Sequence, residues 1–473
     1  MVTRTLTAIV LLSLLVTSVA CRSGNGNPDP QPQPVVFSAT QGNGTTVRIN
    51  APAASADPAT AVTAVAGATG QGSVAADGSF SFNADLAQGT SSVSQAGTVT
   101  IQYFKDSVSM QSSQTVTSMY INVQAPYFTT GSAPNQMVHY DDPGSDERWL
   151  YVANSMSNTV VRYKSDGTVL ATASFPEYSS PSYLALADDA LWVMTNGDNQ
   201  ATALDLLTLE VTDSATIECP VDTQMAFIGP GTPAWTGSEL YIPLAMIEAF
   251  GDRTSYINAE VVMFAPNGID DMTRPAYHLD GHNAQCCLFD ESGERLLVTS
   301  AGQIQFDENW MPLAESDSYL DIYGPGEAHT AVNLGTVGAS RIALDPTGHY
   351  AYIGNSLNGN IYKIDVDSGT VVRGIDNPIT LTTEQTYISD LGFTPGGEYL
   401  LATSFNTDEL YVIDPATDTV NPGIYPEPFD LSLDPDLMAG CIDLEVGRVD
   451  GDSCWVFVLY GVANSVAVVK VAW

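Results

Sequence analysis

Lysine is nearly missing from this sequence. Lys105, Lys164, Lys363 and Lys470 are the only four in 473 residues, and all basic side chains number 15 against 54 acidic ones. A formal charge of −39 repels phosphate backbones and anionic headgroups at ordinary ionic strength, which excludes nucleic acid as a partner. The acidic residues are scattered rather than run together, so they read as a solubilising surface. Histidine occurs five times and cysteine six, and no cysteine pair has CxxC or CxxCH spacing, which argues against a zinc ribbon and against covalent haem. GxSxG, Walker, HExxH and GxGxxG patterns are absent, removing the linear signatures of several enzyme classes. No DxDxDG loop exists either. Clusters such as Asp141, Asp142, Asp146 and Glu147, or Asp430, Asp434 and Asp436, therefore give only a weak calcium signal.

What is present is apolar and rich in turns. A hydrophobic fraction of 44%, with 39 Gly and 27 Pro, argues against disorder and for many short strands. The length suits two domains, or one large one with an appendage. Residues 1–20, MVTRTLTAIVLLSLLVTSVA, place Arg4 before an apolar run of about sixteen residues, shorter than a membrane-spanning helix, and read as a signal peptide. Ser18, Val19 and Ala20 before Cys21 resemble the lipobox of bacterial lipoproteins, with Ser18 in place of the preferred Leu. The resemblance implies that Cys21 becomes a lipid-bearing N-terminus. Residues 21–36, continuing RSGNGNPDPQPQPVV, read as a lipidated, disordered linker. Arg22 is not the Asp that retains lipoproteins in the inner membrane of enterobacteria, so the resemblance implies the outer membrane. Export to the cell envelope is thus expected, with the membrane touched through the lipid anchor only and with the periplasmic and surface faces both open.

Over residues 37–125 Thr, Val and Ser alternate with Ala and Gly. In GSVAADGSFSFNADLAQGTSSV, Asp77 and Gly78 join a Val-Ala strand to a Ser-Phe-Ser-Phe strand, a hairpin signal because type I′ turns need positive φ at both centres. TVTIQYF and TSMYINVQ supply further strands. The DGSF, Leu and Gly-Thr/Asn-x-Val pattern resembles bacterial immunoglobulin-like modules, which implies a small Ig-like β-sandwich serving as a spacer.

From residue 127 to 473 one grammar recurs seven times: an apolar strand, a turn rich in Asp and Gly, a second strand ending Tyr-Val-x-Asn or similar, then a third strand. WLYVANSMSNTVVRYKSDGTVL, YAYIGNSLNGNIYKIDVDSGTVV and YLLATSFNTDELYVIDPATDTV are the clearest copies. Matching positions from Tyr151 to Phe457 lie about 51 residues apart on average, near the ~40 to 50 of propeller repeats. The copies resemble the YVTN (YVTN/NHL-like) family of β-propeller repeats. That resemblance implies an all-β fold, a seven-bladed β-propeller preceded by the Ig-like β-sandwich, in which stacked blades create the core. QMVHYDD, QMAFIG, QCCLFDESGE and CIDLEVGRVDGD are among the segments expected to line the axis. The seventh repeat reaches Trp473 after three strands, so Tyr127 to Thr130 is expected to supply its outer strand and close the ring.

In a propeller the loops entering the axial strands open on one face, and ligands most often bind in that funnel. Asn135, Gln136, His139, Ser182, Gln224, His282, Asn283, Arg341, Ser389, Asp390 and Asp443 fall there. The functional reading is a small-ligand or metal site. His282, Asp390 and Asp443 would supply nitrogen and oxygen donors to a divalent metal such as calcium, with Arg341 orienting an anionic group through its planar fork. His278 and His282 have HxxxH spacing, but a strand beside Gly281 strips it of helical meaning. Beyond Cys21 there remain Cys219, Cys286, Cys287, Cys441 and Cys454, an odd number for an oxidising compartment. Alternation sends Cys286 and Cys287 to opposite faces. Either one of them bonds Cys219 or Cys441, or the two form a strained vicinal disulfide. Cys441 and Cys454 flank a turn without standing opposite each other.

Three functions stay open. The first is a non-enzymatic binding or scaffold module whose propeller face engages a protein or glycan. The long loops Met246 to Asn258 and Asn309 to Thr330 support it, the second carrying Trp310, Tyr319 and Tyr323, aromatics favoured at interfaces. The second is a metal-dependent hydrolase or lactonase-like enzyme with its site in the funnel. The third is a redox accessory using the paired cysteines. Propellers host unrelated functions on one frame, so no catalytic residue is carried over from them.

Overall fold

The computed structural model describes residues 38–41, 46–51, 53–66, 68–86, 98–115, 117–118, 121–141, 148–187, 189–221, 225–250, 254–265, 273–307, 312–325, 328–382, 386–421, 428–433, 437–449 and 453–472. The first strands pair in the order Val108–Thr115, Thr98–Lys105, Ala61–Ala66, Ala68–Ser73, Phe80–Leu86, Thr46–Ala51, Ser38–Gln41, Thr117–Ser118. Ile49, Val62, Phe80, Ile101 and Tyr103 are buried together, so this unit has a core of its own. The expected hairpin is present, with a different turn. The Gly78 N–H donates to the Ala75 carbonyl at 3.0 Å, and within the turn only Gly78 has positive φ, at 82°. One left-handed residue therefore reverses the chain instead of two. A Cβ on Gly78 would stand 2.8 Å from the Ala56 carbonyl oxygen.

Seven antiparallel sheets of four or five strands follow. Their inner strands are Pro134–Asp141, Pro181–Leu186, Ala234–Trp235, Ala284–Asp290, Ala339–Leu344, Ile388–Phe393 and Cys441–Val449. Each inner strand contacts the next, and the seventh contacts the first. This closed ring is an all-β propeller. Its sequence logic lies in the second strands: WLYVA, LWVMT and YAYI are apolar at successive positions instead of alternating, which suits strands covered on both faces. Seven clusters of buried side chains meet that need, each drawn from two neighbouring sheets. Tyr151 and Leu191 share the cluster between the first and second sheets, for example, while Leu150, Phe128 and Phe457 share the one between the seventh and first.

The repeated Tyr and Asn have structural roles. Tyr151 donates its hydroxyl to the Leu206 carbonyl at 2.8 Å, and Tyr352 to the Pro415 carbonyl at 3.3 Å. Both acceptors follow the third strand of the next sheet. Arg162 and Lys363, cross-strand partners of those tyrosines, donate to the same two carbonyls, each at 3.0 Å. Asn355, fully buried at the end of its strand, accepts from the Leu357 N–H at 2.8 Å and caps the turn.

The structure corrects the expected elements in three places. Ile121–Thr129 is the outer strand of the seventh sheet, pairing with Ser465–Ala472. The closing strand thus begins before Tyr127. The two units meet between Ser118 and Ile121 and not at residue 125, because Thr117 and Ser118 pair with Thr40 and Gln41 while Ile121 pairs with Val471. In the third sheet QMAFIG is not the axial strand, since Phe227 bridges Ile247 in an insertion. Pro230 and Pro233 lack an N–H, and Gly231 lies so close to Gln285 that a Cβ would stand 2.4 Å from its carbonyl oxygen; only Ala234–Trp235 forms a ladder. In the fourth sheet the third strand is Ser318–Gly324, whereas Ile304–Phe306 pairs with Pro312–Ala314 in a separate hairpin.

Candidate functional site

Six inner strands carry a β-bulge or register shift at one shared position, just after Pro134, Pro181, Ala284, Ala339, Ile388 and Cys441. A bulge sets two successive residues against one partner, so strict alternation fails there and re-aims side chains. Two residues beyond each of those six positions stand Gln136, Tyr183, Cys286, Arg341, Asp390 and Asp443.

Arg341 joins this ring together. Its Nη1 donates to Thr232 Oγ1, just before the inner strand of the third sheet, at 2.7 Å and its Nε to the Ser389 carbonyl of the sixth at 3.3 Å. Its guanidinium lies 3.9 Å from Asp390 Oδ1 and 3.7 Å from Asp443 Oδ1. The remaining carboxylate oxygens tie neighbouring sheets. Asp390 Oδ2 accepts from the Leu444 N–H at 2.9 Å, and Asp443 Oδ2 from the Met137 N–H at 2.7 Å. Gln136 Oε1 continues the pattern, accepting from the Leu184 N–H at 2.7 Å. Burial opposes the charge on Arg341, but Asp390 and Asp443 outweigh it and hold the guanidinium above its ordinary pKa. Burial pushes Asp443 well above the usual carboxylate range, with Asp390 adding to the rise and Arg341 countering it. Glu445 is pushed up to about 8, first by burial and then by Asp390.

A cavity of about 700 Å³ opens at the starts of the inner strands, with Arg341 and Tyr183 in its lining. Asn135, Gln285, Ser340 and Ser389 give it polar groups; Tyr387, Ile388, Phe405 and Ile442 give it apolar walls. Two hairpins stand on the same face, because each is inserted between the second and third strands of its sheet. Ile247–Ala249 with Ser255–Tyr256 belongs to the third sheet, and Ile304–Phe306 with Pro312–Ala314 to the fourth. They clasp each other: Gln305 accepts from the Thr254 N–H at 2.9 Å and donates to the Thr254 carbonyl at 2.6 Å, and Tyr256 donates to the Ile304 carbonyl at 3.1 Å. Pro312 carries the pair to the cavity wall.

Of the residues expected in the funnel, Asn135, Arg341 and Ser389 line the cavity, while Asp390 and Asp443 contact Arg341. His139 instead stacks on Phe457 at 5.0 Å, and Ser182 is fully buried. Asn283 is left-handed, with φ of 60°, and accepts from Gln285 at 2.8 Å. His282 ends an outer strand, and burial holds its imidazole below the ordinary pKa. His282, Asp390 and Asp443 do not assemble as metal ligands, since among the described residues the one such cluster is Asp280, Asp321 and His329. Arg341 supplies the positive charge beside Asp390 and Asp443 that an ion would have supplied. Tyr183, Gln285, Tyr387 and Phe405 were not foreseen; the shared offset of the ring residues was the available signal for Tyr183. Cys21, Asp142, Asp146, Glu147, Gln224, Trp310, Asp434 and Asp436 lie outside the described residues.

The cysteines differ from expectation as well. Cys219, Cys286, Cys287, Cys441 and Cys454 are all free in the structure. Cys286 is buried between the fourth and fifth sheets and Cys287 between the third and fourth, so the two do face opposite ways. Cys441 and Cys454 share one cluster but sit at opposite ends of a strand pair, opposite Tyr460 and Val449 respectively. Tyr319 and Tyr323 are strand residues and not loop anchors, and Tyr323 is buried.

No protein-family model matches this chain, and no curated protein does. Solved structures do. A chain in the crystal structure of the mitotic checkpoint complex is 12% identical with a TM-score of 0.51, covering 75% of this chain and 91% of that one. The Cps50 (Swd1) β-propeller domain from Myceliophteria thermophila is 11% identical with a TM-score of 0.46, covering 74% of this chain and 98% of that one. At such identities the first likeness speaks of fold alone, and the second carries no weight beyond its description.

Proposed function

We propose that the protein is a non-enzymatic binding module of the bacterial cell envelope, and that a protein partner docks on the funnel face. In this reading the seven sheets are the blades of one YVTN-like, seven-bladed propeller. The N-terminal unit is an Ig-like spacer, and Cys21 carries the lipid that anchors the chain in the outer membrane. The observation that supports the docking face is the distribution of exposed apolar side chains. Met156, Val462, Phe250, Phe306 and Leu313 lie between second and third strands, and Tyr178, Leu437 and Met438 lie just before inner strands. All of these loops open on the funnel face. Around the opposite loops the described residues offer fewer, Val169, Leu207, Val211 and Val449. Apolar groups gathered on one face of an otherwise acidic surface mark an interaction site.

The hydrolase reading needed His282, Asp390 and Asp443 around one ion, and Arg341 contacts two of those three instead. The test is cross-linking in the native membrane followed by identification of what co-purifies. A single stoichiometric partner, lost in a Phe306→Asp, Leu313→Asp double variant with an unchanged melt, supports the reading. A partner retained by that variant at full yield counts against the hairpins as its seat.

A further inference from the structure

We propose that Asp280, Asp321 and His329 form a divalent metal site, with zinc the ion that fits, which staples the third sheet to the fourth. Asp280 lies on the outer strand of the third sheet, Arg274–His282. Asp321 and His329 lie on the third and outer strands of the fourth, Ser318–Gly324 and Ala328–Gly335. Each residue offers one ligand atom, and these atoms all lie within 4.8 Å of one another.

The second observation concerns Asp321 alone. Its side chain is fully buried, and while Oδ1 lies 2.8 Å from His329 Nε2, Oδ2 is buried with no hydrogen-bond partner. A carboxylate oxygen withdrawn from water with nothing to bond is costly, and a cation between the two sheets satisfies it. The surrounding residues fix the ligands. The His329 ring stacks on Tyr323 at 4.4 Å and 5°, and Tyr323 stacks on Tyr277 of the third sheet at 3.9 Å. Next to Asp280, Gly281 packs so closely that a Cβ would lie 2.5 Å from that of Ser300.

One imidazole and two carboxylates suit zinc and its first-row neighbours, whereas calcium takes six to eight oxygens. Ligand atoms about 2 Å from a tetrahedral ion stand about 3.3 Å apart, so small side-chain movements would close the site and replace the Asp321 to His329 hydrogen bond. Asp280 and His329 are exposed, which leaves a path in and room for water as a further ligand.

The test uses the full chain, stripped with a chelator and titrated calorimetrically with zinc chloride. One equivalent should bind, and it should raise the melting temperature. Asp280→Asn and His329→Ala, both at exposed positions and checked for folding by circular dichroism, should each weaken zinc by at least the ~10- to 100-fold that loss of an outer-shell partner costs. Asp390→Asn, at the axis, should leave zinc binding intact. A folded wild-type chain that takes up no stoichiometric zinc overturns the proposal, as does binding equal in both ligand variants. Displacement of zinc by equimolar calcium overturns the choice of ion.

Discussion

Arg341 holds two carboxylates beside the axis, with side-chain exposures of 13% for Asp390 and 3% for Asp443. Truncating one partner of such a group leaves buried charge uncompensated, so Arg341→Leu should lower stability by roughly 3 kcal/mol in chemical denaturation. A loss within about 0.5 kcal/mol, the scale of ordinary surface changes, would contradict that role. Glu445 sets a pH dependence. A carboxyl whose pKa is higher in the folded state keeps its proton more tightly there, so its contribution is full below the ordinary 4.5 and is lost as pH rises through about 8. Calorimetric melting temperatures should fall across that window, and fall less in Glu445→Gln; identical slopes would remove Glu445 from the explanation. Burial also pushes Cys286 up to about 11 and Cys454 up to about 12, which suppresses thiolate reactivity. In the native protein thiol reagents should therefore label half-buried Cys219, with Cys286, Cys287, Cys441 and Cys454 reacting only after unfolding. Mass loss from a disulfide would reverse this conclusion. The opposite facing of Cys286 and Cys287 was legible from strand alternation, whereas their free state depends on which sheets surround them.

The most informative element is Ile121–Thr129, which enters from the N-terminal unit and completes the last sheet. Phe128 is its buried anchor, tilted against Tyr163 at 5.0 Å. Gly167 makes room for it: φ there is +85°, and a Cβ would stand 2.3 Å from that of Phe128. Phe128→Ala should cost about 3 kcal/mol or more, and deleting residues 125–132 should lower the melting temperature sharply. An unchanged melt after the deletion would show that the ring does not depend on this strand. Closure by this segment could be read from the sequence, because the seventh repeat supplies three strands and Tyr127 to Thr130 stands just before the first inner strand. The strand's start at Ile121 could not, since TSMYINVQ alternates without a break while the structure divides it between two units. The bulges escaped for a related reason. Period-two reading assumes one residue per partner, so it gave no sign of Tyr183.

Among the described residues of the ring, burial is divided among the seven spaces between sheets, while the N-terminal unit keeps a core of its own. That is why the fold was legible: doubly covered strands write apolar runs such as WLYVA and YAYI into the chain, and it is their recurrence at a regular spacing that points to stacked sheets. The third sheet was the exception, where FIGPGTPAW replaces a regular axial strand with prolines and a crowded glycine. The docking face was not legible, because Met156, Leu437 and Phe306 lie far apart in sequence and share a face only after the ring closes. Exposed apolar side chains are more numerous on the funnel face than around the opposite loops. The most direct measurement places a photo-crosslinking amino acid singly at Phe306, Val462, Leu207 and Val449 and irradiates the protein in its native membrane. The account predicts one covalent partner from Phe306 and Val462 and none from Leu207 and Val449; capture from the second pair alone, or equally from all four, would contradict it.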